Sequence, residues 1–197
     1  SVASRGLGDV YKRQTQANGI PLSAGMKEDY FKILPLDIGL LVSQSFGGSH
    51  VARPFADLFQ KWTQGSVFEQ SWLGQVAEIL VGQAMRHSME IDQQLYFWTR
   101  DSKGAQAEVD YVLQRGTRVI PVEVKAGASG TLRSLHTLMA EKGLDLAVRF
   151  DLNRPSIQTI DMDVPVSGGK MRRSNYRLVN LPLYLADWLP VILSKFG

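Results

Sequence analysis

The stretch AEVDYVLQRGTRVIPVEVKAG, residues 107–127, decides how the rest of the chain is read. Two runs rich in Val, Ile and Tyr, 107–114 and 118–126, flank Arg115-Gly116-Thr117, which is the pattern of a β-hairpin. Side chains alternate along a strand, so Glu108 and Asp110 share one face while Glu123 and Lys125 share another. A turn centred between Gly116 and Thr117 sets Asp110 opposite Glu123 and brings all four charged groups to one side. A one-residue slip or a bulge undoes that alignment, and the sequence leaves the register open.

Two carboxylates held a few ångströms apart repel unless a cation sits between them, and hard oxygen ligands suit Mg²⁺ or Mn²⁺. Lys125, two residues beyond Glu123, projects from the same strand face and is placed to orient a water or balance charge developing on a phosphate. The same spacing also fits a solvent-facing hairpin with cross-strand Glu–Lys pairs.

Upstream, residues 66–87 read as a helix, with an apolar stripe at Val76, Ala77, Leu80, Val81 and Ala84. Gly74, Glu78 and Gly82 recur every fourth residue and form a second row. Glycine inside a helix costs about 1 kcal/mol against alanine, so two flanking an acid predict close approach of another backbone. Residues 95–100 read as a strand feeding the hairpin. After it come a helix within 130–142, ending at Gly143, and a hydrophobic strand at 146–152. A strand–helix–strand connection of that length predicts a parallel crossover. The resulting order is α-β-β-β-α-β.

Asp110 followed by Glu123-Val124-Lys125 resembles the D…ExK signature of the PD-(D/E)XK nuclease superfamily. The wording of 107–127 is similar to a C-terminal nuclease-like domain of unknown function that follows the ATPase domain in a group of prokaryotic AAA+ ATPases. The similarity runs from about Tyr30 to Leu189. It includes Leu36-Asp37-Ile38-Gly39-Leu40 in a connector, Gly74 and Glu78 as a Gly-x-x-x-Glu element, and Leu181–Leu185 near the end. The resemblance implies an α/β, restriction-endonuclease-like core. Its site would hold Mg²⁺ or Mn²⁺ on Asp110, Glu123, the Val124 carbonyl and Glu78, with Lys125 as the positioning cation. Glu108 ranks below Asp110, and Asp37 is read as a helix cap.

Composition is that of an ordinary globular protein: 197 residues, 44% hydrophobic and 21% charged, with no cysteine. Disulfides and thiolate metal sites are thereby excluded, which is compatible with a reducing cytoplasm, and no apolar run approaches the ~20 residues that span a bilayer. His50, His87 and His136 show no ligand spacing. The first fourteen residues, SVASRGLGDVYKRQ, resemble a translated sequencing adapter. Setting aside Arg5, Lys12 and Arg13 against Asp9 lowers the formal charge from +3 to +1, so net charge makes no case for nucleic acid. The domain reading is therefore 1–14 as non-native, 15–65 as a connector remnant, and 66–197 as the nuclease-like domain. The resemblance implies that ATP binding belongs to an upstream ATPase domain. Gly168-Gly169-Lys170 is followed by Met171 and lacks the phosphate-loop pattern.

Residues 50–62 read as a short helix after Pro54, 156–163 as a strand, and 167–177 as a polar loop. That loop carries Lys170, Arg172, Arg173 and Arg177, candidates for contacts with a phosphate backbone or for a solvated face. The closing segment LYLADWLPVILSKF reads as an amphipathic helix interrupted at Pro190. The expected function is metal-dependent phosphodiester hydrolysis of nucleic acid, DNA in the first instance. The alternative is a non-catalytic module that docks the ATPase onto DNA or a protein, with its carboxylates in salt bridges.

Overall fold

The computed structural model describes residues 9–35, 37–38, 67–89, 93–100, 107–127 and 130–196. The hairpin forms in the expected register. β4 (Glu108–Arg115) and β5 (Arg118–Val124) are antiparallel, with Arg115 opposite Arg118 and Tyr111 opposite Val122. Gly116 takes φ 55°, a left-handed value that a β-branched residue in its place would resist.

Around this hairpin the strands β1 (Asp9–Thr15), β2 (Met26–Pro35), β3 (Tyr96–Thr99), β6 (Leu146–Asp151), β7 (Ser156–Pro165) and β8 (Met171–Pro182) complete one sheet. Its eight strands run β2-β1-β3-β4-β5-β6-β8-β7. β5–β6, β6–β8 and β1–β3 are parallel pairs, and the remaining neighbours are antiparallel. The chain is a mixed α/β protein, and the order α-β-β-β-α-β appears as α1 (Val67–Ser88), β3, β4, β5, α2 (Arg133–Lys142) and β6.

Each face of the sheet has its own core. Ala77, Val81 and Met85 of α1 pack with Tyr111, Ile120, Val122, Val124, Val148 and Phe150, together with Leu183, Leu189 and Leu193 of the closing segment. On the opposite face Leu135, Leu138 and Met139 of α2 pack with Val109, Val112, Val119, Ala147, Tyr176 and Leu178. Burying side chains of this size contributes about 1.5–3 kcal/mol each. The row Leu73, Ala77, Val81 and Met85 is buried, whereas Leu80 lies outside it at 39% exposure. Helix α1 is thus rolled away from the expected stripe, with Glu78 and Gly82 beside the buried row.

That roll explains one glycine and not the other. A Cβ on Gly82 would run into the Tyr111 hydroxyl and lie 2.9 Å from Leu34 Cδ1, while one on Gly74 would meet nothing within 4 Å among the described residues. The close approach at Gly82 is made by a side chain rather than by a backbone. Gly82→Ala is therefore expected to destabilise the protein by about 1–3 kcal/mol through overpacking, despite its better helix propensity. Denaturant titration of that variant checks this, and an unchanged midpoint would place Tyr111 elsewhere.

Other expectations shift at the ends of the chain. Residues 26–35 form a ten-residue strand, and a 3-10 turn at Leu22–Gly25 precedes it. The expected polar loop is much shorter, because β7 and β8 pair continuously from Ser156–Asn180 to Pro165–Met171. The run MRRSN lacks a strand's apolar alternation and is held by its ladder to β7 rather than by burial. Pro190 starts a helix instead of interrupting one: 3-10 turns at Leu183–Trp188 and Ser194–Phe196 flank α3 (Leu189–Leu193), with the proline in its first turn. The expected helix at 50–62, the capped turn after Asp37 and the loop 101–106 lie outside the described residues. Among those residues no helix is long and apolar enough to cross a membrane.

Candidate functional site

Alternation along β4 breaks at Asp110. Val109 and Val112 pack on the α2 face, Tyr111 and Leu113 on the α1 face, and the β3–β4 register slips at the same point. Such a bulge re-aims side chains next to it. Here the ladder to β5 also changes character: the Val124 N–H donates to Asp110 Oδ2 at 2.7 Å, so the carboxylate takes over where backbone pairing stops.

Glu78 from α1 and Glu108 and Asp110 from β4 each offer a carboxylate oxygen, all within 4.8 Å of one another. Glu123 does not join that group of three. It is 5% exposed, takes Lys125 Nζ on Oε1 at 2.6 Å, and leaves Oε2 buried with no hydrogen-bond partner among the described residues. The Lys125 backbone N–H donates to the Phe150 carbonyl at 2.8 Å, and its side-chain stem lies over Gly130, where a Cβ would come 3.0 Å from Lys125 Cδ. Asp110, Glu123, Lys125 and Glu78 are therefore gathered at one end of the hairpin. Glu108, ranked below Asp110 from sequence, lies within the same 4.8 Å of the other two carboxylates.

The electrostatics show what this gathering costs. Burial, then the Glu123 and Glu78 carboxylates, raise the Asp110 carboxyl well above its usual range, against the pull of Lys12 and the Val124 N–H. Burial also raises Glu123, with Lys125 pulling the other way. Both groups bind protons more tightly folded than unfolded. Their contribution is most favourable below the unfolded carboxylate range and is lost as pH rises through the raised folded values. Asp110→Asn keeps an acceptor for Val124 and removes one charge. It is expected to raise stability by about 0.5–2 kcal/mol where Asp110 ionises and to flatten the decline of stability as pH rises above the unfolded carboxylate range, as measured by thermal melts across pH. A variant less stable than the parent at neutral pH would refute the repulsion.

Two lysines missed in the sequence complete the site. Lys12 of β1, 2% exposed, donates to Glu78 Oε1 and, at 2.7 Å, to the Asp110 carbonyl. Its ammonium lies 4.2 Å from the Tyr111 ring centroid. Lys32, its register partner on β2, pairs with Glu108. Lys12 belongs to the segment that resembles an adapter, and Asp9–Thr15 forms the strand between β2 and β3. Tyr111 is kept a neutral phenol by burial and donates to the Glu78 carbonyl at 2.7 Å, which fixes the helix turn that carries the carboxylate.

The four cations predicted to face nucleic acid are dispersed. Arg173 binds Asp161 at 2.6 Å and approaches Asp163 at 3.6 Å. Arg172 donates to the Ala140 and Glu141 carbonyls at the end of α2, and Arg177 stacks 5.2 Å from the Phe196 ring. Lys170 is exposed just after the β7–β8 turn. His136 pairs with the Tyr176 hydroxyl at 2.8 Å, and burial lowers its pKa.

Residues 73–164, the span from α1 through β7, match the family model of a domain of unknown function (DUF4143). No curated protein and no solved structure matches the chain.

Proposed function

We propose that the chain carries a PD-(D/E)XK-type nuclease core that hydrolyses phosphodiesters of nucleic acid, DNA in the first instance, and works beside an ATPase domain. The observation that carries this reading is the trio Glu78, Glu108 and Asp110, with ligand oxygens within 4.8 Å. Acids driven together at a cost to stability are characteristic of functional sites rather than of folding. Asp110, Glu78 and Glu108 would hold Mg²⁺ or Mn²⁺, with Glu123 and the Val124 carbonyl beside them. Such an ion supplies Lewis-acid polarisation and neutralises charge on a phosphate. Lys125 steers the water and offsets negative charge developing on the phosphate.

The test is cleavage of labelled single-stranded, duplex and branched DNA in Mg²⁺ or Mn²⁺, with the parent chain beside Asp110→Ala. Cleavage that needs both metal and Asp110 supports the reading. Absence of cleavage together with metal-independent DNA binding removes it.

One observation favours a second reading, a non-catalytic docking module: every acid of the site has an internal basic neighbour or N–H, in Lys12–Glu78, Lys32–Glu108 and Lys125–Glu123 and at Val124–Asp110. Because Arg172, Arg173 and Arg177 are engaged within the fold, such a module would meet a protein surface rather than a phosphate backbone.

A further inference from the structure

Arg149 of β6 stands level with Glu123 on the neighbouring parallel strand and level with Asn180 of β8 on its other side. Its side chain is 14% exposed, and Nε and Nη2 are buried with no hydrogen-bond partner among the described residues. Nε lies 3.0 Å from Asp151 Oδ2 without the alignment of a hydrogen bond. Asp151, the ion-pair partner of Arg149, is shared with Asn153: Oδ1 takes the Asn153 N–H at 2.7 Å and Oδ2 the Asn153 side-chain amide at 2.9 Å. Across the strand, Glu123 Oε2 is also buried and has no hydrogen-bond partner among the described residues.

A guanidinium cannot shed its proton to escape this position. Asp151 balances the charge, but buried N–H donors without aligned acceptors still carry a desolvation cost, and a carboxylate oxygen in the same state sits on the next strand. Register partners on adjacent strands stand about 5 Å apart, yet these opposite charges do not satisfy each other. The arrangement suits a guest that accepts from arginine and shares a cation with the carboxylate. A phosphate does both, and the planar fork of arginine matches two of its oxygens.

We propose that Arg149 is a phosphate-binding residue, gripping a phosphodiester of the nucleic acid between β6 and the carboxylate of Glu123. This inference rests on the nuclease reading for the identity of the ligand, but not for its test. The test is calorimetric titration of inorganic phosphate, in Mg²⁺, into the parent chain, Arg149→Lys and Arg149→Met, with a thermal melt of each. Phosphate affinity is expected to fall at least tenfold in Arg149→Met and less in Arg149→Lys. The phosphate-free melting temperature of Arg149→Met should fall less than that of Asp151→Asn, because the loss of buried unsatisfied donors offsets part of the lost ion pair with Asp151.

Equal phosphate affinity in all three proteins, or no phosphate binding by the parent, overturns the proposal. So does a melting temperature of Arg149→Met that falls as far as that of Asp151→Asn, the result for a structural ion pair. Cleavage intact with phosphate affinity unmoved in Arg149→Met sinks this inference alone. Phosphate binding lost in Arg149→Met, in a chain that never cleaves DNA, sinks the nuclease reading alone.

Discussion

Lys125→Met is expected to lower Mg²⁺-dependent cleavage by about 10²–10³-fold, the usual cost of removing one preorganised charge donor from a reacting centre. The substitution keeps the stem that packs over Gly130 and deletes the ammonium 2.6 Å from Glu123 Oε1. It should also cost stability, because Glu123 would be left buried without the cation that opposes its raised pKa. Stranding a buried charged partner costs about 1–3 kcal/mol, read here from denaturant titration. The double variant Glu123→Gln/Lys125→Met removes both charges and should regain much of that stability while remaining inactive. Recovery of stability without recovery of cleavage separates the chemical role of Lys125 from its structural one. Full cleavage in Lys125→Met would show that the lysine is only a counter-ion.

The hairpin and its neighbours were legible because local signals agreed there. Val, Ile and Tyr runs, a glycine at the turn and a helix ending at Gly143 all pointed to the same elements. The turn sets the register that the sequence left open, and the ladder stops at Tyr111–Val122, just short of Asp110 and Glu123. The bulge beside Asp110 was not legible, since it depends on pairing with β3, and it turned Glu108 into a full neighbour of Glu78 and Asp110. Long-range partners were hidden for the same reason. Nothing near Lys12 in sequence announces an acid on a helix beyond residue 67, and nothing in RVIPVEVKAG announces Arg149 on the next strand. The basic run at 170–177 misled because proximity in sequence is not proximity on one surface. Alternation along β8 and pairing to Asp161 disperse it.

Lys12→Met is expected to destabilise the metal-free protein by about 1–3 kcal/mol, the cost of removing a buried cation from an acid that is itself part-exposed. Lys12 is a buried cation among Glu78 and Asp110, bonded to a Glu78 carboxylate oxygen and the Asp110 carbonyl. Its removal leaves Glu78, Glu108 and Asp110 repelling one another with less compensation. A divalent cation would then be the natural replacement. Mg²⁺ should raise the melting temperature of Lys12→Met more than that of the parent, because the ion no longer competes with a tethered ammonium. Calorimetry with and without Mg²⁺ reads both effects. A large stability loss that Mg²⁺ does not repair would mean that these carboxylates serve salt bridges, which is the docking reading. No stability loss at all would mean that β1 does not lie in the sheet in solution, as a strand of non-native sequence would not. In that outcome the carboxylates would be open to metal in the parent chain, and the parent and Lys12→Met would bind Mg²⁺ alike.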